Sequence, residues 1–302
     1  MIIVKIQHGL GNQMFQYAAG LAMAKRNGTE LKLDVSAYAH PNKNDTPRKF
    51  LLDRFNISAE IASEAEIRAF RANNFSGASV PERAIRKLFK KAQEKKPAKD
   101  RSYIAENGFG FRPELLENKN KDVYLYGGWQ NENYFKDAEN LIREEFTLKN
   151  GLGESASEIA EKIKNTASVS VHIRRGDYES NPKTKTRLGP LPPEYYGRAM
   201  EIASKKVPSP VFFVFSDDTV WAKKNLPADF KAVFASGEGL SDCEELVLMS
   251  KCGHNIIANS SFSWWGAWLN LNPEKIVIAP KRWFADPRNA GDNPCPPGWI
   301  KI

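Results

Sequence analysis

Between Ser168 and Ala279 the chain alternates short apolar, β-branched runs with amphipathic stretches, and this alternation limits the fold more than any other feature. Strands are expected at Ser168–Ile173, Val211–Phe215, Ala232–Ala235, Asn255–Ala258 and Lys275–Ala279, and helices at Pro193–Lys206, Thr219–Lys224, Ser241–Cys252 and Phe262–Asn270. Strands separated by helices pair in parallel, because a parallel connection has to cross over the sheet and a helix does so compactly. Ser241 followed by Glu244 supplies a capping box for the third of those helices. A second unit of the same kind opens the chain. A strand over Ile2–Gln7 runs into His8-Gly-Leu-Gly-Asn-Gln13, a helix on Phe15, Ala18, Ala19 and Ala22 ends at Asn27-Gly28, and a strand follows over Glu30–Val35. From residue 40 to about 125 the pattern is mixed, and only Val123–Tyr126, ending in Gly127-Gly-Trp-Gln130, reads as a strand. The expectation is an α/β protein of two Rossmann-like domains facing across a cleft, with ligands at the carboxyl ends of the strands. With Asn150-Gly-Leu-Gly153 as the linker, the domains are 1–150 and 151–302, the C-terminal tail being free to pack back on the first.

Composition narrows the partners. The net charge of +8 asks for an acidic one, whether nucleic acid, anionic lipid or a phosphorylated small molecule. Much of the excess lies between Arg83 and Arg101, where nine Lys or Arg accompany two acids. Ile85, Leu88, Phe89 and Ala92 there have helical spacing, which predicts a basic amphipathic helix able to touch an anionic membrane surface. No secretory signal and no run of 18 apolar residues is visible, so a cytoplasmic chain is expected, peripheral at most to the inner membrane face. Three cysteines without Cys-x-x-Cys spacing argue against a disulfide framework or a zinc site. In that compartment the tripeptide Arg175-Gly176-Asp177 cannot serve cell adhesion.

The residues with chemistry to offer collect at strand ends. The strand from Ser168 ends in His172-Ile-Arg-Arg-Gly-Asp177, where Arg174 and Arg175 carry permanent, forked donors suited to phosphate. Neighbours in a strand point to opposite faces, so Arg174 is taken as the ligand clamp, with Arg175 and Asp177 as its support. The next strand ends in Phe215-Ser-Asp-Asp218, where the paired acids Asp217 and Asp218 offer a Mg²⁺ site, donor-side support or, for Asp218, a helix cap. Glu245 is placed to accept the paired N–H groups of a guanine edge. Ser260, Ser261 and Phe262 open a helix after Asn259, a second phosphate position, while Trp264, Trp265 and Trp268 read as core. Near the start, Gly11 and Asn12 lie in a glycine loop ahead of a helix, which suits an anion equally with a tight turn. For the acceptor the candidates are His8 and Trp129, with core packing the alternative for Trp129 and Tyr134.

Four blocks carry a family resemblance: Gly9-Leu-Gly-Asn-Gln-Met-Phe-Gln-Tyr17, His172-Ile-Arg-Arg-Gly-Asp-Tyr178, Phe215-Ser-Asp-Asp218, and Asn255-Ile-Ile-Ala-Asn-Ser-Ser-Phe-Ser-Trp-Trp-Gly-Ala-Trp268. In order and content they resemble the bacterial α-1,2-fucosyltransferases of glycosyltransferase family 11. His8 departs from the pattern, which usually has glycine there. The resemblance implies a GT-B architecture that binds the donor GDP-β-L-fucose in the C-terminal domain and a β-galactoside acceptor in the N-terminal one. It implies transfer with inversion to the galactose 2-hydroxyl, no cofactor and no metal. Position by position, Arg174 would neutralise the β-phosphate, His172 would lie beside the guanosine through its backbone, and Glu245 would hold guanine. Ser260 and Ser261 would bind phosphates, and Asn12 would reach the pyrophosphate. His8, Asp177 and Glu132 are the general-base candidates, and the residues do not choose among them. The rivals are a fucosyltransferase of another linkage and a basic nucleic-acid-binding protein. The absence of aromatic–basic interleaving speaks against the second.

Overall fold

The structure, a computed structural model, describes residues 1–39, 46–74, 91–106, 108–237 and 239–302. The chain divides into two units, Met1–Thr147 and Leu148–Ile302. The first is built on β1 (Ile2–Lys5), β2 (Leu31–Asp34), β3 (Glu60–Ile61), β4 (Tyr103–Ala105) and β5 (Val123–Tyr126), in the order β3-β2-β1-β5-β4 with every pair parallel. The chain lays β2 and β3 on one side of β1 and returns with β5 on the other. The order therefore reverses between β1 and β5, the point where parallel α/β sheets take ligands.

The first helix, Leu10–Asn27, covers this sheet and is almost wholly buried. It begins earlier than the glycine spacing suggests, so Gly11, Asn12 and Gln13 form its first turn rather than a loop. Gly28 closes it with a left-handed φ of 59°. Gly20 is where helix and sheet meet most closely, since a Cβ there would stand 2.9 Å from Leu31 Cδ1 and 3.1 Å from Val4 Cγ1. Gly20→Val is expected to cost about 1–3 kcal/mol through overpacking, read as a lower urea midpoint at unchanged slope.

The second unit holds β6 (Ser168–Ile173), β7 (Val211–Ser216), β8 (Ala232–Phe234), β9 (His254–Ile256), β10 (Val277–Ala279) and β11 (Ile300–Lys301), in the order β11-β10-β9-β6-β7-β8, again all parallel. Here the order reverses between β6 and β9. The alternation in β6 marks two different buried faces rather than one face toward water, because all six of its residues are buried. Val169, Val171 and Ile173 pack with Tyr196, Ala199, Met200 and Ile256. Ser170 and Ser168 face a polar layer instead. Ser170 Oγ accepts from Asn255 Nδ2 at 2.8 Å and Ser168 Oγ from the Gly253 N–H at 3.0 Å. The helices Pro193–Lys206, Thr219–Asn225, Asp242–Lys251 and Ser261–Leu269 fall where the periodicity places them, and the Ser241–Glu244 capping box is formed in both directions.

Several expectations change. β3 and β4 arise in the poorly patterned region as strands too short to show a period. The C-terminal residues expected as a tail free to pack on the first domain are the edge strand β11, paired with β10. The first eight residues of the basic segment Arg83–Arg101, with Ile85, Leu88 and Phe89, lie outside the described residues, and the rest contains a helical turn at 91–94 and a 3-10 turn at Ala98–Asp100. Among the described residues no helix is long and apolar enough to cross a membrane. Cys243, Cys252 and Cys295 are buried and unbonded to one another.

Candidate active site

At the reversal point of the second sheet, β6 ends at Ile173 and the chain turns through Arg174 and Arg175 into a short helix, Gly176–Ser180. Asp217, just past the end of β7, sets the shape of that turn. Its Oδ1 accepts from the Arg175 backbone N–H at 2.8 Å, its Oδ2 accepts from the Gly176 N–H at 3.0 Å, and Oδ2 also pairs with Arg174 Nη1 at 3.0 Å. Gly176 is required by this approach, because a Cβ there would stand 2.7 Å from Asp217 Oδ2. On its other side Arg174 donates from Nη2 to Asp177 Oδ1 at 2.5 Å. Two carboxylates thus hold the guanidinium in one orientation while 21 % of the side chain stays exposed. Burial would favour its neutral form, but Asp217 and Asp177 outweigh that and raise its pKa, so the charge is permanent.

Arg175, expected as support for the Arg174 clamp, has partners of its own. β6 has already ended, so the face-to-face alternation of a strand no longer applies. Arg175 lies over the Trp221 ring, 4.2 Å from its centroid, and pairs with Asp218 at 3.5 Å and Glu179 at 3.8 Å. Asp218 also caps the Thr219–Asn225 helix by accepting from the Trp221 N–H at 3.0 Å. Arg174 and Arg175 are therefore met by Asp177, Asp217, Asp218 and Glu179. An anion binding here would be drawn by aimed N–H groups rather than by excess positive charge.

His172 is buried on β6 with its ring 5.4 Å from that of Phe262. Burial, assisted by the Arg174 charge, pushes its pKa down to about 3, so it is neutral at working pH. Across the reversal point, β9 leads into Asn259 and the Ser261–Leu269 helix. Asn259 Nδ2 donates to Leu188 O at 3.0 Å, Gly189 O at 3.0 Å and Trp283 O at 3.1 Å, pinning two loops to the helix start. The Tyr178 hydroxyl donates to Asn259 O at 3.0 Å and so ties the arginine turn to this one. Ser260 is the N-cap residue, its Oγ accepting from the Phe262 N–H at 3.3 Å, while Ser261 and Phe262 are half-buried in the first turn. In the core the indoles of Trp264 and Trp268 are stacked and that of Trp265 meets both edge-on. Glu245 is half-buried on the Asp242–Lys251 helix. Burial pushes its pKa up to about 7, with hydrogen bonding to Ser236 working in the opposite direction.

In the first unit Asn12 Oδ1 accepts from Gln130 Nε2 at 2.5 Å, bridging the ends of β1 and β5 across the reversal point. His8 has a left-handed φ of 70°, a backbone state that glycine adopts without strain and that a residue with a Cβ adopts only at a cost, so the usual glycine at this position follows from the backbone. Its carbonyl accepts from Gln13 Nε2 and the Tyr38 hydroxyl, each at 3.0 Å. Trp129, proposed for the acceptor, is 1 % exposed with its ring 5.1 Å from Tyr134. It is a core residue and presents no surface to a ligand. Glu132 lies in the 3-10 turn Glu132–Tyr134.

Sequence reading missed Glu106, which follows the three-residue β4 in the unpatterned region. Its Oε2 accepts from the Gly128 N–H at 2.8 Å and the Trp129 N–H at 2.5 Å. Gly127 is a glycine because a Cβ there would stand 2.5 Å from Glu106 Cβ. The missed signal was Gly127-Gly128 itself, a pair that lets another element approach the backbone closely.

Two parallel sheets with polar, hydrogen-bonded turns at both reversal points define a two-unit α/β protein built to hold ligands at its strand ends. The sequence profile of Glycosyl transferase family 11 matches residues 1–302, and the chain belongs to that family of glycosyltransferases. It is similar to an alpha-1,2-colitosyltransferase of Escherichia coli, 37% identical over 100% of this chain and 99% of the relative. The O-antigen biosynthesis glycosyltransferase WbnK of Escherichia coli is 34% identical over 92% of this chain and 93% of its own length. The galactoside 2-alpha-L-fucosyltransferase SEC1 of Bos taurus is 25% identical over 86% of this chain and 62% of its own length.

Proposed function

We propose that this glycosyltransferase moves L-fucose from GDP-β-L-fucose to the 2-hydroxyl of a terminal β-galactoside, with inversion, in the assembly of a bacterial surface glycan such as an O-antigen. The observation that carries the reading is the Arg174 turn, a permanently charged guanidinium fixed by Asp177 and Asp217 at the reversal point of the second sheet. In the proposed reaction the bond from the sugar C1 to the β-phosphate oxygen breaks and the electron pair leaves with GDP. Arg174 stabilises that developing charge, with the helix start at Ser260, Ser261 and Phe262 holding phosphate through its N–H groups. Arg175, held by Trp221 and Asp218, and Asp217 support the turn. His172 lines the guanosine through its backbone, and Asn12 with Gly11 belongs to the pyrophosphate side of the first unit. The second unit takes the donor and the first, including His8, the acceptor. No cofactor or metal is assigned, so EDTA should leave turnover unchanged.

Glu245 is assigned to the guanine edge, a role that needs its carboxylate form. Its proton is held up to about pH 7, so guanine binding must displace that proton at lower pH. GDP affinity should rise about tenfold from pH 6 to pH 8 for wild type and stay flatter for Glu245→Gln, measured by calorimetry. The linked effect on folding has the opposite sign. The folded-state pKa lies above the ordinary 4.5, so unliganded stability falls as pH rises through that window.

The 37% relative named as a colitosyltransferase favours a second donor. Colitose is L-fucose without the 3-hydroxyl, so one hydroxyl separates the two readings. A site that hydrogen-bonds this hydroxyl rejects the deoxy sugar by ~10⁴-fold or more, whereas a site shaped for the deoxy sugar discriminates by only ~10². The test supplies both GDP-sugars with a panel of β-galactosides, with and without EDTA. Fucosyl transfer supports the first reading, transfer of colitose alone the second, and transfer of neither overturns both.

A further inference from the structure

The second unit carries a cleft of about 540 Å³, with Lys183, Thr186 and Arg187 on one wall and Asp286, Arg288 and Asn289 on the other. The first wall is the helix Pro182–Arg187, and the second is the 3-10 turn Pro287–Asn289 with the residue before it. Backbone bonds fasten the walls together, Arg187 O accepting from the Ala285 N–H at 2.9 Å and the Asp286 N–H at 3.2 Å. Asn259 Nδ2 holds carbonyls from both segments as well. Asp286, 10 % exposed, accepts from the Arg288 N–H at 3.0 Å, from its Nε at 3.0 Å and from its Nη2 at 2.6 Å. The Arg288 fork is thereby fixed, with Nη1 unspent. The Arg187 guanidinium lies over the Phe284 ring, 6.0 Å from its centroid. Lys183 makes no ion pair among the described residues, whereas its neighbour Lys185 is paired with Glu179. Asn181 Oδ1 already accepts from the Lys183 and Thr184 N–H groups at 3.0 and 3.3 Å, so a ligand here meets side chains and not the helix end.

From this arrangement we infer that the cleft is a second anion site, built for a phosphomonoester group that does not belong to the sugar donor. Lys183, Arg187 and Arg288 stand against Asp286 alone, a surplus of two positive charges that matches a phosphate dianion. Guanidinium forks and a point-charge ammonium are the donors that phosphate oxygens take, and a single carboxylate would leave one charge over. The site is separate from the donor clamp, since its lining includes neither Arg174 nor Arg175, nor any residue of the helix start at Ser260–Phe262. The two also work differently. Arg174 and Arg175 are met by Asp177, Asp217, Asp218 and Glu179, whereas this cleft keeps its charge in excess. The inference goes beyond the proposed transfer and holds whichever sugar is transferred. Free phosphate and the headgroup of a phosphomonoester lipid present the same oxygens, so the chemistry is shared and the source is settled by experiment.

The test has two arms, each comparing wild type with Lys183→Ala and Arg187→Gln. In the first, inorganic phosphate is titrated by calorimetry into enzyme saturated with GDP, so that the donor site is already filled. In the second, the enzyme is sedimented with phosphatidylcholine vesicles that contain or lack phosphatidic acid. Wild type is expected to bind inorganic phosphate, the acidic vesicles or both. Each substitution should weaken that binding about tenfold, the usual consequence of losing one charge-assisted contact, with GDP affinity and melting unchanged. Binding of inorganic phosphate makes free phosphate the ligand, and binding of acidic vesicles alone makes it the headgroup. A wild type that binds neither probe overturns the inference, as does binding that both substitutions leave undiminished. Lys183 is exposed, so its variant decides the matter alone if Arg187→Gln does not fold. If wild type binds no GDP, the donor reading fails, while the phosphate result is still read from the two variants.

Discussion

Arg174→Ala is expected to lower kcat by ~10²–10³-fold, the usual consequence of removing one preorganised donor from a site where charge develops. The effect should fall on kcat and kcat/KM alike, because the guanidinium matters most once the phosphate leaves. Acceptor KM should stay near its wild-type value. Alanine also leaves Asp177 and Asp217 facing one another without their shared cation, so a melting curve accompanies the kinetics. Arg174→Lys separates the two effects, since it keeps the charge between the carboxylates but loses the planar fork held by both. A folded Lys variant should therefore remain well below wild type. Near-normal turnover by either variant would remove Arg174 from the mechanism.

The second large effect is expected from Asp217→Ala, a residue that need not touch the donor. Its carboxylate accepts from two backbone N–H groups and one guanidinium nitrogen, and these contacts give the Arg174–Gly176 turn its shape. Without them Arg174 keeps Asp177 and the Tyr178 ring beneath it. A displacement on the order of 1 Å in a positioning element can cost ~10²-fold, so kcat should fall by ~10–10²-fold while GDP still binds. Asp217→Asn, which retains an acceptor oxygen, should fall between wild type and Ala. Gly176→Ala approaches the same defect from the other side, because its methyl would press on Asp217 Oδ2 at 2.7 Å. If both variants turn over normally, the turn is not what orients Arg174.

Most of the second unit was readable from sequence: β6 and β7 are long enough to show a period, the three-residue β8, β9 and β10 are marked by the helices between them, and β11 and the helix Glu154–Lys164 were not read. β6 and β7 have six residues each, and Ser241 with Glu244 marks a helix start unaided. The first unit was readable only at β1, the Leu10–Asn27 helix, β2 and β5. β3 and β4 have two and three residues, below any period, and are strands because the sheet gives them partners. The same difference runs through the site. Arg174, Asp177 and Asp217 stand in one arrangement because all three follow strands that could be seen. The pairing of Arg174 with Asp177, and of Arg175 with Asp218 and Trp221, depends on where β6 stops, which alternation does not specify. Glu106 was illegible because the strand before it was, although Gly127-Gly128 already pointed to a close neighbour.

The central claim is transfer of a fucosyl group to the 2-hydroxyl of a β-galactoside. The most direct test incubates the enzyme with GDP-L-fucose and a β-galactoside acceptor and determines the product linkage by heteronuclear NMR. The account predicts a correlation from the fucose anomeric proton to galactose C2, with α configuration, and loss of product when the acceptor is 2-deoxygenated. A product joined at any other carbon, or undiminished transfer to the 2-deoxy acceptor, would contradict it.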